Sequence, residues 1–154
     1  MTLPTTITVE WLRSERACEF QVETFEHEWG AAAPLTRENL LRAAELGLGL
    51  DWLARHIGLG DEPWKRYRAE TAEPRKRYEA EIAEPWKRFL AEIAESRKRY
   101  EAETAESWER YLAETAESWK RYLAEIAESR KRYLAEIAEA LWAAIQWQRE
   151  EEKP

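Results

Sequence analysis

The chain is poor in the residues that carry chemistry: one cysteine, Cys18, two histidines, one methionine and five glycines, the last of them Gly60. Each shortage excludes something. A lone thiol rules out an internal disulfide and fits a reducing compartment, and Cys18 reads as a small buried apolar side chain. His27 and His56 have no cysteine or metal-spaced carboxylates nearby, so no metal ligands are expected. No glycine-rich phosphate loop, paired acid and base or activated nucleophile occurs, so no catalytic or cofactor-binding residue is named and a non-enzymatic protein without cofactor is expected. No apolar run approaches the roughly 18 residues of a membrane span, and the amino terminus lacks a basic flank leading into an apolar stretch. A cytoplasmic protein is expected. Positive charge is also scarce. Residues 1–61 hold 5 Lys/Arg against 10 Asp/Glu, and residues 62–154 hold 19 against 21, giving about −5 and −2 of the total −7. An acidic first part argues against nucleic acid as a partner, and a balanced second part argues against an anionic membrane.

What is abundant is repetition. From Pro63 to Glu139 an eleven-residue unit recurs seven times, and residues 120–128 and 131–139 are identical. Eleven residues fit three helical turns at about 3.67 per turn, so one face stays in register along a nearly straight helix. Apolar residues fall at positions a, d, e and h of this unit: Trp64 and Tyr67; Tyr78 and Ile82; Trp86, Phe89, Leu90 and Ile93; Tyr100; Trp108, Tyr111 and Leu112; Trp119, Tyr122, Leu123 and Ile126; Tyr133, Leu134 and Ile137. They span close to half the circumference, an arc suited to several neighbours. Opposite lie charges such as Arg88, Glu92 and Glu95, read as a solvated face in which Glu95 pairs with Arg99 four residues on. At a and e, Arg75 with Glu79 and Arg97 with Glu101 replace the aromatic and the leucine together, each pair four apart. This alternation reads as a register device, with a staggered or antiparallel neighbour setting Arg over Trp. Pro74 and Pro85 stand where later repeats have serine, and the stripe stays in phase across them, so a continuous, bent helix is expected. Asp61-Glu62-Pro63 starts that helix, and with no later glycine it runs to the end, on the order of 130 Å. Past Glu139 the polar face disappears: Leu141 and Ile145 keep the core spacing, while Trp142 and Trp147 stand where charges stood. That end needs covering, and in the absence of a local hairpin partner a head from another chain, or end-to-end joining, would do it.

Residues 1–61 read as a small helical head and 62–154 as the repeat helix. Ser14 is placed to cap a first helix that Gly30 ends, and Leu35-Thr36 with Leu40 forms a hydrophobic staple around the cap of a second, closed by Gly47. Asp51 opens a third, ended by Gly58. Ile7, Val9, Trp11 and Leu12 read equally as a strand or a helical turn. The two helices about Gly47-Leu48-Gly49-Leu50 resemble a helix-turn-helix, but the second offers only Arg55 for DNA.

The a, d, e, h spacing resembles hendecad-repeat coiled-coil proteins, and that resemblance implies self-association. Residues 17–56, with Ala17-Cys18-x-x-Gln21-Val22-x-x-Phe25, Leu35-Thr36-x-Glu38-Asn39-Leu40-Leu41-x-Ala43 and a Gly-Leu-x-x-x-Trp-Leu-Ala close ending at Ala54, resemble a small helical module of uncharacterised bacterial and phage proteins, which brings no activity with it. The expectation is an all-α protein, a head followed by one very long helix that oligomerises into a bundle or filament through its aromatic stripe. The alternative is a lipid-surface protein, because eleven-residue units with recurrent proline are similar to exchangeable apolipoprotein helices. Arg75, Arg97 and Arg130 in mid-arc oppose that alternative. A third resemblance, to late-embryogenesis-abundant repeats, fails on the aromatic content.

Overall fold

A computed structural model describes residues 3–102 and 107–152. The described residues are all-α apart from one small hairpin. Strand β1 (Thr6–Thr8) pairs antiparallel with β2 (Ala32–Pro34), Ile7 opposite Ala33. Helices α1 (Val9–Ser14), α2 (Glu19–Trp29), α3 (Arg37–Glu45), α4 (Leu50–His56), α5 (Asp61–Ala102) and α6 (Ser107–Glu151) complete the chain. The ambiguous start is thus both readings in turn: Ile7 lies in β1, and Thr8 caps α1 by accepting from Trp11 N at 3.1 Å.

The single first helix expected from Ser14 is two. Ser14 ends α1, its hydroxyl donating to the Trp11 carbonyl at 2.8 Å, and Arg16 at φ 60° turns the chain before α2. Cys18, expected inside, is exposed at the α2 amino terminus. Thr36 caps α3 as expected, accepting from Asn39 N at 3.2 Å. Gly30, Gly47 and Gly58 follow α2, α3 and α4 with φ of 72–80°, the left-handed turn that favours glycine.

The one very long helix is also two. α5 is continuous through Pro74 and Pro85, but α6 is a separate helix, and the two run antiparallel. The chain divides into two compact units, one made of Met1–Arg75 with Lys131–Pro154 and the other of Lys76–Arg130.

In the first unit the opening turns of α5 and the closing turns of α6 complete the head's core. Tyr67, Ile137, Leu141 and Ile145, each no more than 1% exposed, share one apolar cluster with Val22, Leu40, Leu50 and Ala54. A head therefore does cover the apolar end of the repeat, but it is the chain's own. Trp142 and Trp147 are half-buried, with the Arg149 guanidinium 5.7 Å and the Arg66 guanidinium 4.7 Å from their rings. Gln148 accepts from Gly60 N at 2.8 Å, and Arg37 pairs with Glu139.

Asp51 ties this unit together. Its carboxylate accepts from Tyr67 Oη at 2.5 Å, from Arg75 Nη2 at 3.2 Å and from Tyr133 Oη at 3.5 Å, so α4, α5 and α6 meet on one anion. Arg75 thus leaves Glu79, the partner read for it along the helix. Burial, then the neighbouring Asp51 carboxylate, raises the Tyr67 phenol well above its usual range, and the same two causes raise Tyr133.

Candidate interaction face

The second unit is a helical hairpin made of α5 residues 76–102 and α6 residues 107–130. Within one helix, d and h lie to one side of a, and e lies to the other. The hairpin closes on the first side. Phe89 and Tyr122 at d and Ile126 at h are buried as a cluster, with Ile82 and Ile93 packed against it. Ser96 and Ser118, small enough to let the backbones approach, are buried beside them, and Tyr78, Tyr100 and Tyr111 are half-buried. Burial raises the Tyr78 phenol.

Each tryptophan at a meets an aromatic d residue of the opposite helix. Trp86 lies 5.4 Å from Tyr122, Trp119 lies 5.2 Å from Phe89, and Trp108 lies 5.2 Å from Tyr100, ring centre to ring centre. Tilted aromatic pairs at such distances contribute about 0.5–1.5 kcal/mol beyond their area. The edge is closed by ion pairs between the helices: Arg88 with Glu125 at 2.9 Å, Arg121 with Glu92 at 2.7 Å and Arg99 with Glu114 at 3.1 Å, while Ser96 donates to Glu114 at 2.8 Å. Glu95 does not take Arg99, and the charges read as a solvated face bridge two helices instead. Their recurrence every eleven residues was the available signal. Thr115 stands at an h position where several repeats hold isoleucine, and its hydroxyl is buried without a partner among the described residues.

The other side of the arc is bare. Trp86, Trp108 and Trp119 at a are 42–47% exposed, and Leu90, Leu112 and Leu123 at e are 37–49% exposed. Ala94, Ala116 and Ala127, next around the helix, are exposed as well. Antiparallel helices packed on equivalent faces are related by a local two-fold, so the bare side of α5 and the bare side of α6 open in the same direction. Taking about 250 Å² for an indole side chain, the three tryptophans alone leave about 300 Å² uncovered. With the leucines and alanines the face reaches the order of 600 Å², the upper end of what monomers expose. One charged pair interrupts it, Arg97 and Glu101 joined at 3.0 Å, and exposed Glu79 at e and Arg130 at a stand at its end.

The residues expected to mediate self-association therefore separate into two groups. Tyr67, Tyr133, Leu134, Ile137, Leu141, Trp142 and Ile145, with half-buried Trp64, pack in the first unit against its own core, and half-buried Trp147 lies under the Arg66 guanidinium. In the hairpin, Phe89, Tyr122, Ile126, Ile82, Ile93 and Tyr78 are turned to its interior or half-buried, and Tyr100 and Tyr111 are half-buried. Only Trp86, Leu90, Trp108, Leu112, Trp119 and Leu123 remain on an open face.

Other sites are weaker. His56 stacks on Trp52 at 4.2 Å and its Nδ1 lies 2.7 Å from the Trp52 carbonyl oxygen, while His27 is exposed. Among the described residues no group of His, Cys, Asp or Glu is arranged to hold a metal ion, and no helix is long and apolar enough to cross a membrane. An apolar cavity of about 70 Å³ lies in the head among Val22, Phe25, Trp29, Leu40 and Leu53. Its polar neighbours are committed elsewhere: Gln21 accepts from Gly49 N, and Asn39 accepts from Trp29 Nε1. Comparison with known proteins finds no matching family model, no matching curated protein and no matching solved structure.

Proposed function

We propose that the protein is a structural, scaffolding component that self-associates through the bare a and e face of its hairpin, carrying a small helical head on each copy. The observation that carries this reading is the coincidence of six large apolar side chains, all 37–49% exposed, on one side of one hairpin. Burying such a face removes its indoles and leucines from water at about 25 cal/mol per Å². The likeness of the spacing to hendecad coiled coils supports it, because in those proteins the a and e positions meet neighbouring helices. Two copies face to face bury on the order of 1,200 Å², the lower end of the range for specific interfaces.

Sedimentation velocity between about 1 and 500 μM, with acrylamide quenching of tryptophan in parallel, tests the proposal. Association with protection of the indoles is expected, and Leu90→Glu with Leu123→Glu abolishes both while preserving helical circular dichroism. A lone monomer at the highest concentration overturns it. Co-sedimentation of that monomer with anionic vesicles and a blue shift of its fluorescence assigns the face to a lipid surface instead.

A further inference from the structure

Resting on that reading, we infer that two copies meet with α5 lying antiparallel on α5 of the second copy, and that Glu79 and Arg97 select this sense by pairing across the contact twice. Face-to-face packing of two hairpins allows two axes of two-fold symmetry. An axis along the helices lays α5 on α6 of the second copy at equal height. That arrangement sets Glu101 against Trp108 and Leu112 of the other chain, which strips water from a carboxylate and supplies no new donor. An axis across the helices lays α5 on α5 and α6 on α6.

Two charges of α5 then pair across the contact. About an axis level with residue 88, Trp86 meets Leu90 of the second copy and Glu79 meets Arg97. Glu79 and Arg97 each lie nine residues from that level, about 13.5 Å along the helix. On α6 the corresponding level is residue 121, where Trp119 meets Leu123 and, at the rim of the contact, the exposed Arg130 meets Leu112. Levels 88 and 121 already sit opposite each other in the hairpin, because Trp86 touches Tyr122 and Phe89 touches Trp119. One axis therefore serves both helices. Glu79 is exposed and has no partner among the described residues. Arg97 engages Glu101 through Nε alone, and a guanidinium has further donors for a second carboxylate.

Charge exchange in the full chain tests this. Arg97→Glu alone and Glu79→Arg alone each place like charges together twice and are expected to weaken association about tenfold. The doubly exchanged chain is expected to recover most of the wild-type affinity. Each single change also sets like charges four apart within α5, two carboxylates at positions 97 and 101 or two guanidiniums at positions 75 and 79, and the double change does not relieve these. Recovery therefore reports the contact between copies. A wild-type chain that associates while the single changes have no effect, or the double change fails to recover, overturns the antiparallel arrangement and leaves self-association standing. A monomeric wild type overturns both.

Discussion

The two units bury the same repeat to different depths. Where α5 and α6 meet the head, side chains on several sides of the repeat are covered: Ile137, Leu141 and Ile145 are at most 1% exposed, and Ala138, Ala140 and Ala144 are buried around them. In the hairpin of the second unit two helices share one side of the arc and the other side stays wet, with Leu90 at 48% and Leu112 at 49%. The lesson is geometric. An apolar arc near half a circumference is wider than one helical neighbour can cover, so two helices leave a remainder and a third element removes it. In one unit the head is that third element, and in the other it is what we propose a second copy supplies.

The comparison can be broken by truncation. Leu141→Ala is expected to cost about 2–5 kcal/mol and Phe89→Ala about 3–5 kcal/mol, because each leaves a cavity in a covered cluster. Leu90→Ala, exposed in an isolated chain, is expected to cost under about 1 kcal/mol at concentrations where the protein is monomeric. Urea unfolding measures all three, and a Leu90→Ala loss equal to that of Leu141→Ala erases the distinction between the units.

Asp51 offers a sharper probe of the first unit. Tyr67→Phe is expected to cost about 1.5–3 kcal/mol, the value of a hydrogen bond to a charged group. It also changes the response to base. The folded-state pKa of Tyr67 lies above the unfolded value near 10, so the stabilisation is complete below pH 10 and is lost as pH rises beyond it. Unfolding midpoints followed from about pH 8 to 11 should fall more steeply in the wild type than in Tyr67→Phe, and parallel curves would remove the Tyr67 phenol from the account.

Smaller effects are expected in the hairpin. Thr115→Val removes a buried hydroxyl that has no partner among the described residues and is expected to stabilise by up to about 1 kcal/mol. A loss on thermal unfolding would place an unseen partner on that oxygen. Arg88→Ala breaks one exposed ion pair between the helices and is expected to cost about 0.2–1 kcal/mol, decreasing with salt.

Much of this architecture is legible in the residues, and the failures have physical reasons. Thr36 and the glycines after α2, α3 and α4 act locally, through hydrogen bonds and φ angles that depend on their own neighbours, and they stand where expected. Ser14 failed because serine serves a helix end as well as a start, its hydroxyl turning back to Trp11. The reversal between α5 and α6 has no written mark, since no glycine or proline occurs between Pro85 and Pro154. The bare face is legible in part: positions a and e stand out with d and h, but nothing in a period distinguishes the half that a partner helix takes from the half it leaves.

The sequence by itself determined the helices, their caps and the wide aromatic arc, because propensity, capping and an eleven-residue period act over a few residues of chain. Tertiary structure decided which half of that arc is covered, by the head's core in one unit and by the paired helix in the other. It also decided that Asp51 gathers Tyr67, Arg75 and Tyr133. Those outcomes depend on residues dozens of positions apart competing for the same apolar surface and the same carboxylate, and a local pattern carries no record of which competitor wins.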